Sequence, residues 1–398
     1  MIAFPLIYLS TVLAQIALGL LTPLVPLLLA GEGVPKHDIG IVAASFYFGM
    51  LCGSWFVGRI IAATGHVGAF SIFSALTADA ILLMQDANSL LLWSLLRVVT
   101  GVGSIGICTV VESWINGAVT RQYRSRAFGM YTFACLSGTT LGVTLLNVTP
   151  HIPVLLDLGC AAVVTAILPV GLLNRISPAL MPRLRLSIRS VFSISPSGVS
   201  TCFTAGFTSC SFYAMISVVL KDMHIVPSKI SIFIASCTIA GMAMQLPAGF
   251  LADRFGRKFV GVSALAGSAV LAGFLMLVRN IDVLWGLSFL YCASFSPLYT
   301  VATGLSVERA QPAQLVGISS TLLFVWALGA CCGPLVAAYA MSFLGDWSLF
   351  LSSFLLLSAM TILSLRDAVG SEDTNAASSP LCDPQPTVNA ITAMNSTQ

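Results

Sequence analysis

Charge is what this chain has least of. Of its 398 residues, 8% are Asp, Glu, Lys or Arg and 57% are hydrophobic. A water-soluble protein carries charge at roughly a quarter of its positions. The polar surface is too small to clothe a soluble particle, and lipid is the expected solvent for most of the chain. The net charge of +3 is small for the length, so no nucleic acid is expected as a partner. Eleven cysteines are present but none forms a C-x-x-C pair, so neither disulfides nor a metal site is expected. In an apolar interior these thiols read as small packing residues. The four histidines, His37, His66, His151 and His224, all lie near the ends of apolar runs, which argues against a histidine proton relay. Walker A, H-E-x-x-H, G-x-S-x-G and paired-carboxylate motifs are absent. Nothing supports ATP coupling or hydrolysis, so the chain reads as a non-enzyme with no cofactor.

Apolar runs are what it has instead. A spanning helix needs about 20 mostly apolar residues, and breaks in the pattern predict twelve spans, an all-α membrane protein. They lie at 4–29, 38–58, 67–84, 89–116, 127–148 and 153–173, then at 197–220, 227–250, 259–278, 282–306, 313–340 and 346–365. The first run has neither a basic segment before it nor an A-x-A site after it, and reads as a retained helix. Asp38 and Asp282 are expected to cap the second and tenth helices, and Pro35, Pro150 and Pro227 to mark turns. Pro23, Pro26 and Pro297 are expected to break backbone ladders near midspan. The domain reading is a bundle at 1–173, a basic linker at 174–196, a second bundle at 197–366 and a disordered tail at 367–398.

Lysine and arginine order the topology. With a cytoplasmic N-terminus, the inner loops carry thirteen of them and the outer loops four, Lys36, Lys221, Lys229 and Arg279. That bias predicts both termini inside. The linker's Arg175, Arg183, Arg185 and Arg189, with no acid among them, suit an anionic lipid surface. An internal repeat is also visible. Gly58-R-I-I-A-A-T-Gly65 and Gly249-F-L-A-D-R-F-Gly256 stand 191 residues apart, as do Gly138-T-T-L-Gly142 and Gly329-A-C-C-Gly333. Two motif pairs sharing one offset argue for a duplicated six-helix unit.

The stretch RVVTGVGSIG at 97–106 matches a dinucleotide-loop spacing at Gly101, Gly103 and Gly106. It lies inside an apolar span, where only helix satisfies the backbone, so its glycines are read as places of close helix approach. Arg97 sits roughly 12 Å into that span. An arginine at mid-bilayer costs about 2.5–3.5 kcal/mol, and it is the leading candidate for an anion contact or a coupling partner, against a purely structural hub. Glu112, on the same broad face and further inward, is a candidate inner gate or proton carrier, against an interfacial anchor. Asp79 is the other candidate proton carrier, and Asp157 reads as a solvated acid at a helix start.

GFLADRFGRK at 249–258 is similar to the signature loop of the major facilitator superfamily, and RVVTGVGSIG resembles its fourth-helix arginine motif. Glu112 in VVESW and the run QLPAGFLADRFGR look most like the YcaD-type transporters of that superfamily. The resemblance covers residues 4–366. It implies two pseudo-symmetric six-helix bundles rocking about a central site, walled by the first, fourth, seventh and tenth helices. Polar residues then become candidate solute contacts: Gln15, Thr22, Tyr213, Gln245, Tyr291 and Tyr299, beside Arg97. Asp253, Arg254 and Arg257, with Arg59 as a weaker counterpart, become candidate gating residues. There are departures. Ala62 and His66 stand where the first-half loop would carry an acid and an arginine, and Val143 replaces the proline of the drug-antiporter motif.

The expected activity is secondary active transport of a small polar or anionic solute by alternating access, with protons ranked ahead of uncoupled movement, as symporter or antiporter. The alternatives are a drug or metabolite exporter working as a proton antiporter, and a transporter-like sensor that does not translocate. The expected setting is the bacterial inner (plasma) membrane, as a multi-pass monomer in contact with membrane lipids.

Overall fold

A computed structural model describes residues 3–119, 123–149, 151–173, 188–308 and 315–377. Among them there are helices and no strand. This is what lipid demands, since a helix satisfies its own backbone amides and carbonyls. The first half holds α1 (Ala3–Gly31), α2 (Lys36–Gly53), α3 (Val57–Leu83), α4 (Leu90–Ala118), α5 (Arg124–Thr144), α6 (Ile152–Thr165) and α7 (Ile167–Gly171). A short α8 (Ile188–Ile194) leads into α9 (Pro196–Asp222), α10 (Pro227–Phe255), α11 (Arg257–Leu277), α12 (Ile281–Phe295), α13 (Leu298–Glu308), α14 (Leu315–Leu344) and α15 (Ser348–Ala377). Eleven stretches among the described residues are long and apolar enough to cross a membrane, and one of them, Lys36–Asp86, contains both α2 and α3. Large side chains such as Leu91, Leu172, Leu277 and Phe343 stand exposed on the outside, the surface a lipid-solvated bundle presents.

The repeat is written into the helix starts. Lys36 and Pro227, Leu90 and Ile281, and Arg124 and Leu315 each stand 191 residues apart. So do Gly65 and Gly256, which both hold positive φ, 73° and 87°. A side chain at either turn would be strained, and this explains the two glycines that close the repeated motif. Gly138 and Gly142 of α5 lie against the α1 backbone at Val12 and Ile16, while Gly329 and Gly333 of α14 lie against α9 at Phe203 and Phe207. The same helix pair thus packs through the same small residues in each half.

Several local expectations are corrected. α1 is one helix with Pro23 and Pro26 inside it, as its single span predicts, each proline lacking the amide of one ladder bond, and at Pro297 the chain breaks between α12 and α13; the differences lie in caps and helix ends. Asp38 caps nothing: α2 starts at Lys36 with Pro35 before it and no side-chain cap. At α12 the cap is Asn280, whose Oδ1 accepts from the amides of Asp282 and Val283. Val191 of α8 is fully buried in the core of the second half, so the end of the expected linker belongs to that bundle. α15 continues to Ala377, past the expected end at residue 366. Pro150, the linker at 174–187, Arg121, Arg309 and the tail from 378 onwards lie outside the described residues.

The cores set the relation of the two halves. Around the Lys36 end one apolar cluster takes residues from both, among them Leu24, Ile39 and Val143 with Phe212, Phe233 and Met341. At the opposite end the core is divided. One cluster of buried side chains, including Ile7, Phe70 and Trp114, belongs to the first half, and another, including Val199, Ala302 and Leu322, to the second.

Candidate functional site

The polar contacts between the halves gather at the Lys36 end. Lys36 Nζ pairs with Asp222 at the end of α9 at 2.7 Å, and also with Asp346 in the α14–α15 turn. Lys221 Nζ donates to the carbonyl of Ala30. Ala30 and Lys221 are themselves 191 residues apart, so the pseudo-two-fold axis passes between α1 and α9 here. Asn147 Nδ2 donates to Ser231 Oγ at 3.1 Å, and Ser231 Oγ donates to the carbonyl of Val143 at 2.8 Å. The rings of His37 and Tyr339 lie 5.7 Å apart.

Below this closed end lies a cavity of about 430 Å³ between the halves, within the usual range for a small-molecule site of roughly 300–1,000 Å³. The duplication shapes its walls. From α1 and α9 come the equivalent pairs Leu18 and Ser209, Gly19 and Cys210, and Thr22 and Tyr213. From α2 and α10 come Tyr47 and Thr238, and Met50 and Gly241. In the pairs Gly19/Cys210, Thr22/Tyr213, Tyr47/Thr238 and Met50/Gly241 the two side chains differ in bulk, so a symmetric frame encloses an asymmetric space. Trp326 of α14 adds an aromatic corner. Tyr47 of the first half and Tyr299 of the second both meet it edge-on, with ring centroids at 6.5 and 6.4 Å. Gln245 is held in place: its Nε2 donates to the carbonyl of Ser296 at 3.3 Å, and its Oε1 accepts from Thr300 at 3.0 Å.

The candidates from the sequence fall into three groups. Thr22, Tyr213, Gln245 and Tyr299 line this cavity. Gln15 instead lines a void of about 20 Å³ inside the first bundle, barely one water in size, and its amide reaches Cys108 Sγ at 3.9 Å. Arg97 and Tyr291 line neither. Arg97 is 4% exposed, its guanidinium stands 4.6 Å from the centroid of the Phe46 ring, and its Nε and Nη1 have no hydrogen-bond partner among the described residues. Phe46 borders both spaces. Tyr291 is 1% exposed, packed among Phe212, Phe295 and Phe350.

The gating candidates lie toward the opposite end. Glu112 is half-buried and accepts from the Tyr131 hydroxyl at 3.4 Å. Asp253, Arg254 and Arg59 are exposed at helix ends, and Arg254 stands over the ring of Phe255. Arg257 lies along α13, where a methyl at Gly304 would come 2.7 Å from its Nη1. Asp79 is exposed on α3 and lines neither space. Asp157, also exposed, accepts from Gln85 at 2.7 Å. The glycines of RVVTGVGSIG serve packing: a methyl on Gly101 would fall 2.0 Å from the Phe46 carbonyl oxygen, and one on Gly106 2.2 Å from the Phe73 ring.

Sequence reasoning missed Tyr47, Ser209, Thr238 and Trp326, and the Lys36–Asp222–Asp346 cluster. The first three had a signal. Applied residue by residue, the 191-residue offset pairs Tyr47 with Thr238 and Ser209 with Leu18, although none of them is unusual for its span.

Comparison with known proteins agrees with this architecture. The family model of the Major Facilitator Superfamily matches residues 198–392. The uncharacterised MFS-type transporter YcaD of Escherichia fergusonii is 29% identical over 359 residues, 89% of this chain and 93% of the relative. The protein of the same name from Salmonella dublin is 28% identical over the same shares. Among solved structures, a bacterial homolog of the human lysosomal transporter Spinster, described as inward-facing and unoccupied, superposes with a TM-score of 0.76 at 13% identity, covering 92% of this chain and 96% of that one. The nucleoside transporter NupG gives a TM-score of 0.70 at 12% identity, covering 92% and 98%. With its duplicated six-helix unit and these relatives over most of its length, the chain is similar to the multi-pass membrane transporters of the major facilitator superfamily, the YcaD-type proteins among them.

Proposed function

We propose that the chain is a secondary transporter that moves a small solute by alternating access, with the 430 Å³ cavity as its solute site. The observation that carries this reading is the divided core. The halves share a large apolar cluster at the Lys36 end and a small one around Phe46, Tyr47, Cys210 and Ala330 beside the cavity. The clusters at the other end each draw their buried residues from one half, with Leu323 packed across. Two rigid bundles hinged over a central cavity need only exchange which end is shared.

The arginine-rich loops support placing the end with the divided core toward the cytoplasm and the Lys36 end toward the outside. In this reading Thr22, Tyr213, Gln245 and Tyr299 contact the solute. Arg97, off the cavity walls, acts on coupling through Phe46. Asp253, Arg254, Arg257 and Arg59 act when the inner end closes. Glu112 is a better proton carrier than Asp79, because it faces Tyr131 within the bundle while Asp79 stands exposed on α3. A second reading, export of drug-like molecules, draws support from the largely apolar and aromatic walls.

The test needs no known solute. A keto amino acid placed at Ser209 in the full chain, in sided proteoliposomes, is offered a membrane-impermeant hydrazide dye from each face. Alternating access predicts labelling from both faces, the slower one accelerated by Lys36→Ala. Labelling from a single face under every condition would sink the proposal and favour a sensor.

A further inference from the structure

Among the described residues, the walls of the cavity hold no Asp, Glu, Lys, Arg or His. An ion placed there would lose its hydration with no fixed opposite charge to replace it, the costly case of charge burial. The one intramembrane cation nearby, Arg97, is withdrawn behind Phe46, which borders the cavity while Arg97 does not. What the walls do offer is aromatic surface. Trp326 is held between the edges of Tyr47 and Tyr299 at interplanar angles of 79° and 73°, and Phe46, Tyr213 and Phe295 complete an aromatic lining contributed by both halves. Offset and edge-on ring contacts reward a flat aromatic guest beyond its buried area.

The polar groups of the walls are neutral, among them the hydroxyls of Thr22, Ser209, Tyr213, Thr238 and Tyr299, and the amide of Gln245 is the one oriented by two hydrogen bonds across to the end of α12 and to α13. Gln245 has one N–H committed to Ser296 and one oxygen lone pair committed to Thr300. An amide carries two donors and two acceptor sites, so one of each is left, aimed by the two committed bonds. Such a group matches a neutral hydroxyl, amide or lactam and offers no charge to an ion.

We infer that the cavity binds an uncharged solute that carries a flat aromatic ring system and at least one neutral hydrogen-bonding group. The inference rests on the cavity being the solute site, as proposed above, and departs from the anionic solute that Arg97 pointed to in the sequence.

Three probes with one ring system test it: 2-naphthylmethanol, 2-naphthoate and 2-naphthylmethylammonium, titrated into the purified full chain in detergent by calorimetry. The alcohol is expected to bind at least ten-fold more tightly than either ion. Gln245→Leu and, separately, Trp326→Ala are each expected to weaken it at least ten-fold, which also separates the site from partition into detergent. Naphthoate binding as tightly as the alcohol, no binding of the alcohol, or binding unchanged in Gln245→Leu would each overturn the inference. The two-faced labelling experiment is independent of this titration. If labelling occurs from one face only while the alcohol binds, transport fails and the ligand class stands; if labelling alternates and naphthoate wins, only the ligand class fails.

Discussion

Arg97 shows what a single residue is asked to do. Its charge is buried over the Phe46 ring, with two of its nitrogens unpartnered among the described residues. A desolvated cation–π contact returns about 2 kcal/mol, against an insertion cost of about 2.5–3.5 kcal/mol. The residue is at best neutral for stability, which agrees with the coupling role proposed for it. Replacing a buried ion by an apolar side chain of similar volume is commonly neutral or stabilising. Arg97→Met is therefore expected to keep or raise the thermal midpoint while slowing outer-face labelling of the Ser209 reporter at least about tenfold. A lowered midpoint with unchanged labelling would make Arg97 structural. At α12 the expected cap was one residue type away from the right answer. Asn280→Ala should cost about 1 kcal/mol in thermal unfolding and Asp282→Ala far less, because Asn280 Oδ1 is what the first amides reach. Both residues are small, polar and at the right place. The sequence did not distinguish them because the choice depends on the backbone angle of the entering chain.

Elements were more legible than residues. Every predicted span has its helix, since an apolar run in lipid has one way to satisfy its backbone. The 191-residue offset, first seen in two glycine motifs, reappears in helix starts and in cavity walls. The continuity of α1 through Pro23 and Pro26 was legible as a single span at 4–29, whereas the division of the tenth span into α12 and α13 was visible only as a proline, Pro297. Close contacts between elements follow the glycines. Gly101→Val drives a methyl group into the Phe46 carbonyl, and overpacking of this kind costs about 1–3 kcal/mol or more, so lower yield and a lower midpoint are expected. Gly286→Ala, on α12 with nothing within 4 Å, should instead gain up to about 1 kcal/mol of helix propensity. The reverse order of the two variants in thermal unfolding would contradict the packing account.

At the scale of the whole molecule, the exchange between bundles proposed above would turn on weak contacts that add up. The Lys36–Asp222 pair and its companion to Asp346 are partly exposed, and such pairs contribute about 0–1 kcal/mol each. A shift of that size moves a two-state population several-fold without unfolding anything. Charges at span ends were visible in the sequence, but which of them meet across the two halves depends on the closed arrangement, and no local pattern encodes it.

The central claim is that two bundles trade closure between their ends, and distances at both ends of one molecule test it most directly. Spin labels on introduced keto amino acids are placed at positions 32 and 228 at one end, and at 58 and 249 at the other, in the full chain in lipid. Pulsed dipolar spectroscopy of wild type and Lys36→Ala should show the first distance lengthening in the variant as the second shortens. Distances that stay fixed at both ends, or that lengthen together, would contradict the account.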